Sequence, residues 1–325
     1  MAPSSFPLFE RFPKLVKLPR ARLCTLPSPV ERLTRIPGHS EIWMKRDDLD
    51  APVCGGNKAR ALEFLLGGLG PGDTVLTVGG QGSTHVLSTA LHAARLGVAT
   101  VSMRWAHDMN PVAEIVSSRI AAVGLDRKIR RSTLLTLARA RLHALSGSVH
   151  YIPVGGSVPL GVLGHVNAAL ELTAQIDRGE MPAPEQIVIA LASGGTVAGL
   201  LLGFAIAGLR VEVVGARVGP RVVVNRQRVL RLARQTSKLI EKVSGERPPR
   251  IDPSALRIVH HVYGGGYGRA LPSAKAAAAI LHDAAAIRLD DTYSGKAWVA
   301  ALDEARTSKG PVLFWLTFDP SCLTS

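Results

Sequence analysis

The chain has 325 residues, 46% of them apolar and 20% charged, a globular composition long enough for one large or two modest domains. No apolar run is long enough to span a bilayer, and the three cysteines, Cys24, Cys54 and Cys322, are scattered, odd in number and without metal-ligand spacing. That fits a reducing compartment rather than a disulfide framework. The net charge of +14 is concentrated in residues 208–250, where eleven Lys and Arg face only Glu212, Glu241 and Glu246. A nucleic-acid binder is therefore one reading. The stretch lacks interleaved aromatics and zinc-ligand motifs, however, so attraction of an anionic substrate or a phosphate-bearing ligand is preferred.

At the N-terminus, residues 1–23 carry five basic residues and Glu10, without the apolar core of a secretory signal. A mitochondrial transit peptide is weighed against Glu10 and four prolines, and a cytoplasmic protein is expected. The segment Cys54-Gly55-Gly56-Asn57-Lys58-Ala59-Arg60 then opens an amphipathic helix. Glycines allow close backbone approach to a ligand, and the positive end of a helix helps hold a nearby lysine as the neutral amine. Lys58 is thus either an ordinary first-turn lysine or a nucleophile able to form a Schiff base with a carbonyl compound.

Further along, short apolar runs alternate with helical patterns. Residues 73–78 read as a strand ending in Gly79-Gly80, with a helix over 83–96. Between them, Gly82-Ser83-Thr84-His85 is a turn suited to a carboxylate, in which Ser83 could serve equally as a helix N-cap and His85 as a core histidine. A strand at 98–103, helices at 111–123 and 132–145, a strand at 149–154 and a helix at 160–175 follow. The strand 187–192 leads into Ser193-Gly194-Gly195-Thr196 and a helix over 196–207. Exposed N–H groups, two hydroxyls and a helix start make this a phosphate cup, or, more plainly, a Gly-rich turn capped by Thr196. A strand at 211–218 precedes the basic stretch, in which Arg226, Arg228, Arg231 and Arg234 alternate with apolar residues as a helix with a solvated basic face. Near the C-terminus, Tyr263-Gly264-Gly265-Gly266-Tyr267-Gly268 is a weak dinucleotide fingerprint but a good loop for presenting a tyrosine. Tyr293-Ser294-Gly295-Lys296 starts a helix over 295–307, and residues 311–317 form a last apolar strand.

Unalternating strands between helices imply parallel sheets covered on both faces, with ligands bound at the carboxyl ends of the strands. The strand count suggests two sheets and two lobes.

A candidate nucleophilic lysine, a phosphate cup, a carboxylate turn and placed tyrosines form the kit of a pyridoxal-phosphate enzyme. The chain resembles the fold type II pyridoxal-phosphate enzymes, specifically the 1-aminocyclopropane-1-carboxylate deaminase and D-cysteine desulfhydrase group. The resemblance rests on residues 26–33 (LPSPVERL), 43–49 (WMKRDDL), 55–60 (GGNKAR), 152–157 (IPVGGS), 160–172, 193–196, 264–268 and 293–297, in that order. It implies a two-domain α/β fold of the tryptophan synthase β type, with a large cofactor domain from 1–58 and 167–325 and a small α/β domain from 59–166. It also implies pyridoxal 5'-phosphate on Lys58, its phosphate at Ser193, Gly194, Gly195 and Thr196, and support from Asn57. Ser83, Tyr267 and Tyr293 are the implied catalytic or substrate-orienting residues. A small amino-acid substrate and a homodimer are expected, with no membrane or metal.

Three departures from the family pattern shape the expected chemistry. Thr84 replaces an asparagine beside the cofactor's phenolic oxygen. Ser294 replaces the glutamate that faces the pyridine nitrogen in the cyclopropane deaminases. Leu316-Thr317-Phe318-Asp319 replaces His-Thr-Gly-Gly and keeps only Thr317 for the cofactor. A hydroxyl does not promote ring protonation as a carboxylate does, so the electron sink is shallower. That favours β-elimination of a good leaving group over opening of a cyclopropane ring. Cyclopropane deaminase activity and a cofactor-binding relative without lyase activity stand as the alternatives.

Overall fold

In a computed structural model of the protein, the described residues are 6–38, 41–107, 109–125, 129–266, 268–269 and 271–323. In chain order the main elements begin with α1 (Pro7–Arg11), β1 (Val30–Leu33), β2 (Ile42–Arg46) and α2 (Asn57–Leu65). Next come β3 (Thr74–Gly80), α3 (Thr84–Arg95), β4 (Ala99–Trp105), α4 (Pro111–Ala122), β5 (Ile129–Arg130), α5 (Thr133–Ala144) and β6 (His150–Ile152). The chain continues through α6 (Pro159–Asp177), β7 (Gln186–Leu191), α7 (Gly195–Ala207), β8 (Glu212–Arg217) and α8 (Arg226–Ser244). It closes with β9 (Leu256–Val259), α9 (Pro272–Ala285), α10 (Ser294–Thr307) and β10 (Val312–Leu316).

The strands form two sheets. The larger runs β1-β2-β10-β7-β8-β9 and is parallel except for the β1–β2 pair. The smaller runs β5-β4-β3-β6 and is parallel throughout. In the larger sheet the two faces have separate cores, because successive strand residues point to opposite sides. Ile187, Ile189, Leu313 and Trp315 pack against α6, α7 and α8, whereas Val188, Phe314 and Leu316 pack against α9 and α10. Both faces are buried, which explains the unbroken apolar runs of β7 and β10. Helix α7 is apolar all round because it lies wholly inside, wedged beside α6.

The strand after Gly208 and the basic helix come out as expected. On α8, Val229, Leu232, Ala233 and Thr236 are buried while Arg226, Arg228, Arg231 and Arg234 are exposed. The cysteine reading needs correction. Cys54 and Cys322, 268 residues apart in sequence, lie in van der Waals reach as a disulfide pair with Cα atoms 4.9 Å apart. Sequence distance hid the contact because the turn after β10 folds back onto the loop ahead of α2. Only Cys24 is a free thiol. No helix among the described residues is long and apolar enough to cross a membrane.

Candidate functional site

The site lies at the carboxyl ends of β7, β8 and β10 in one sheet and β3 and β4 in the other, where parallel sheets bind ligands. Its centre is the loop before α2. Gly56 has φ of 124°, a region that excludes side chains, and a Cβ there would collide with the Thr317 carbonyl. The loop is stitched to the end of β10 through Asn57 N–H to Thr317 O at 3.0 Å and a bridge between Gly56 and Phe318. On the other side Gly56 N–H donates to Asp50 Oδ1 at 2.8 Å. Backbone contacts thereby fix where α2 starts, and so where Lys58 stands.

Lys58 is half-buried, and desolvation of its amine lowers its pKa from the ordinary lysine value to about 8, against the opposing pull of the Asp290 carboxylate. Burial, rather than the helix end alone, is what makes this amine available. It donates to Asn57 Oδ1 at 2.8 Å, and Asn57 Nδ2 donates to Thr196 Oγ1 at 2.8 Å. The chain Lys58–Asn57–Thr196 links the amine directly to the first turn of α7.

That turn has the geometry of an anion cradle. Gly194 is the N-cap of α7 in the left-handed region at φ 92°, leaving the first N–H groups of a thirteen-residue helix unpaired within it. Ser157 Oγ donates to Ser193 Oγ at 2.7 Å, so hydroxyls flank the cradle. A recess runs from here to Lys58 and is walled by Asn57, Ser193, Thr196, Thr317 and Phe318. Phe318 is buried against this recess.

On the far side of Lys58 a cavity of about 370 Å³ opens between the two sheets, with Ser83, Thr84, Ser193 and Tyr293 on its wall. Ser83 is the N-cap of α3, its Oγ accepting from Val86 N–H at 3.4 Å, so the capping role and a place in the cavity coexist. Thr84 is buried and borders both spaces. His85 is a core histidine: Nε2 shares a 3.2 Å hydrogen bond with Thr77 Oγ1, and burial, aided by the nearby Lys58 charge, lowers its pKa to about 3. Tyr293 also borders both spaces, while Tyr267 lies outside the described residues.

Two features were not singled out from the sequence. Asp290, buried, accepts from the N–H groups of Thr292, Tyr293 and Ser294 at 2.7–2.9 Å and thereby sets the start of α10. Its only sequence signal is a plain Asp-Asp-Thr turn. Behind α2, Arg60 reaches Asp47 Oδ1 at 2.6 Å and Glu171 at 3.0 Å, and Lys45 reaches Glu171 at 2.7 Å, all four residues being buried. Arg60, Lys45 and Asp47 stand inside the motifs at 55–60 and 43–49, but the sequence gives no sign that they meet.

These residues fit pyridoxal phosphate. The hydroxyl-flanked helix start suits a phosphate, the buried amine suits a carbonyl carbon, and Ser294 Oγ is buried with no hydrogen-bond partner among the described residues, a polar atom left for a ligand to satisfy.

The comparisons agree. A family model described as "Pyridoxal-phosphate dependent enzyme" matches residues 22–317. The nocardicin C-9' epimerase of Nocardia uniformis subsp. tsuyamanensis is 35% identical, over 92% of this chain and 92% of its own. A D-cysteine desulfhydrase of Klebsiella pneumoniae subsp. pneumoniae is 32% identical over 92% and 94%. Among solved structures, an ACC deaminase homologue superposes with a TM-score of 0.77 at 28% identity, covering 98% of this chain and 95% of its own.

Proposed function

The chain belongs to the pyridoxal-phosphate dependent enzyme family, in its cyclopropane deaminase and D-cysteine desulfhydrase group, and from that premise we propose a lyase that performs β-elimination on a small amino acid. The observation that carries this reading is the buried Lys58 amine, poised near neutral pH and joined through Asn57 to the α7 cradle.

In this reading Ser193, Gly194, Gly195 and Thr196 hold the cofactor phosphate, Asn57 and Thr84 support its ring side, and Ser294 and Thr317 complete the binding set. When bound, pyridoxal phosphate supplies the electron sink for a pair of electrons left at Cα. Lys58 Nζ takes the Cα proton, the role its lowered pKa suits. The Ser83–Thr84 turn at the start of α3 holds the substrate carboxylate, and Tyr267 and Tyr293 orient the reacting carbon. The β-substituent leaves, and water converts the remainder to a 2-oxo acid and ammonia. The four-stranded sheet forms the small domain, 59–166, and the six-stranded sheet the large one, 1–58 and 167–325, in a homodimer.

Purified protein should carry the visible absorbance of lysine-bound pyridoxal phosphate, lost in Lys58→Ala. Sulfide release from D-cysteine, set against 2-oxobutyrate from the cyclopropane amino acid, then chooses the reaction. A colourless protein that gains no band with added cofactor sinks the reading, and a coloured protein that turns over no β-substituted amino acid points to a relative without lyase activity.

The likeness to an epimerase favours a second reading. Where no β-substituent can leave, Cα is reprotonated instead: return of the proton from Lys58 keeps the configuration, whereas delivery from the other face, with Ser83 as the candidate donor, inverts it. Exchange of the Cα proton with solvent deuterium and loss of optical purity, without 2-oxo acid, would mark it.

A further inference from the structure

The cavity beside Lys58 is more apolar than cysteine or a cyclopropane amino acid requires. Its volume of about 370 Å³ falls among pockets that enclose drug-sized ligands, and it must take the cofactor ring as well as the substrate, because the recess beside it measures about 30 Å³. The cofactor recess and this cavity share Lys58, Thr84, Ala192, Ser193 and Tyr293. Beyond those shared residues the apolar part of the wall is Trp105 at the end of β4, Val154, Pro220, Val223 and Val224, and Ser83, His85, His107 and Thr133 supply its polar part. Val224 is buried and Val223 is 42% exposed at the rim. Among the described lining residues no carboxylate or arginine occurs, and Lys58 is the only lysine. Sulfide has no apolar group to seat against the Trp105, Pro220, Val223 and Val224 part of this wall. An apolar group of benzyl size would gain its full transfer energy.

We propose that the preferred substrate is a cysteine S-conjugate whose sulfur carries a bulky apolar group seated against Trp105, Pro220, Val223 and Val224. This rests on the β-elimination reading. Lys58 Nζ accepts the Cα proton, the Cβ–S bond breaks with its electron pair on sulfur, and the thiolate is protonated to the free thiol. One water converts the three-carbon remainder to pyruvate and ammonium, so neither oxidant nor reductant is needed.

The test compares kcat/KM for S-benzylcysteine with that for cysteine, each enantiomer separately, with β-chloroalanine as a reference whose leaving group is small. The expected preference for the benzyl conjugate is at least about tenfold. Calorimetric binding to the cofactor-free protein should show the same order. Val223→Asp, which places a charge on a partly exposed wall, should erase the preference mainly through KM, and Val223→Ile should restore it. Elimination of β-chloroalanine without preference for the benzyl conjugate overturns the apolar subsite and leaves the elimination reading standing. If none of the three is eliminated, the elimination reading has failed. Binding then decides the subsite: tighter benzyl binding, lost in Val223→Asp, supports it, and equal binding overturns it.

Discussion

Replacing Glu171 with Gln tests whether the charge cluster behind α2 holds the lysine's helix in place. Glu171 accepts from Lys45 Nζ at 2.7 Å, from Ser28 N–H at 2.9 Å and from Arg60 at 3.0 Å, in a site closed to solvent. Burial alone would raise its pKa, but the Arg60 and Lys45 charges prevail and pull it from 4.5 to about 2. At about 1.4 kcal/mol per pH unit, that depression is worth about 3 kcal/mol at pH 7. Breaking a buried ion pair from one side costs about 3–5 kcal/mol by an independent route, so the two estimates meet. A folded pKa below the unfolded one means the stabilisation is complete above pH 4.5 and is lost as pH falls toward 2. Equilibrium urea unfolding should therefore show Glu171→Gln about 3 kcal/mol less stable than the parent at pH 7, and about 1 kcal/mol at pH 3. A gap below about 1 kcal/mol at pH 7, or one that does not shrink in acid, would refute the reasoning.

Uptake of pyridoxal phosphate by the cofactor-free protein should speed up about tenfold per pH unit below 8 and level off above it, because only the neutral Lys58 amine reacts; a flat profile from pH 6 to 9 would be the contrary result. In Asp290→Asn the midpoint of that profile should move down, since the carboxylate is what raises the Lys58 pKa; an unmoved or higher midpoint would contradict this. Asn57→Ala cuts both links between the amine and Thr196 and should weaken cofactor binding about tenfold in an absorbance titration, the worth of one or two hydrogen bonds. Gly56→Ala, which meets the Thr317 carbonyl in a conformation closed to side chains, should cost at least about 2 kcal/mol in urea unfolding and lose bound cofactor.

The elements from β3 to β8, apart from the two-residue β5, could be read directly from sequence because most strands are short apolar runs ended by glycine or polar residues and each helix shows its own periodicity. The glycine-flanked turns at Lys58, Ser83 and Ser193 also announced themselves, since close backbone approach to a ligand leaves a local mark. What the sequence did not reveal was long-range. Nothing near Val312 says that β10 inserts between β2 and β7. Nothing near Cys54 points to Cys322, and nothing near Arg60 points to Glu171. The Ala-rich α9 and the short β9 carry weak local patterns and went unmarked. Asp290 escaped because a carboxylate that caps a helix looks, in sequence, like any turn aspartate.

The stitching of the Lys58 loop to Thr317 and Phe318 has a consequence for biosynthesis. Strand β10 is central in its sheet yet is made long after Lys58, with every other strand of both sheets between or before them. On a ribosome, β2 and β7 can pair with β1 and β8, but each must wait with one edge open until residues 312–318 emerge. The part of the molecule made before β10 therefore cannot hold Lys58 in its final position during synthesis. Contacts of such sequence separation make folding slow and leave strand edges open to aggregation. A chain stopped after residue 311 would retain every residue of the lysine loop and still lack the backbone that shapes it. The proposed binding of cofactor at Lys58 would thereby wait until β10 has emerged and docked.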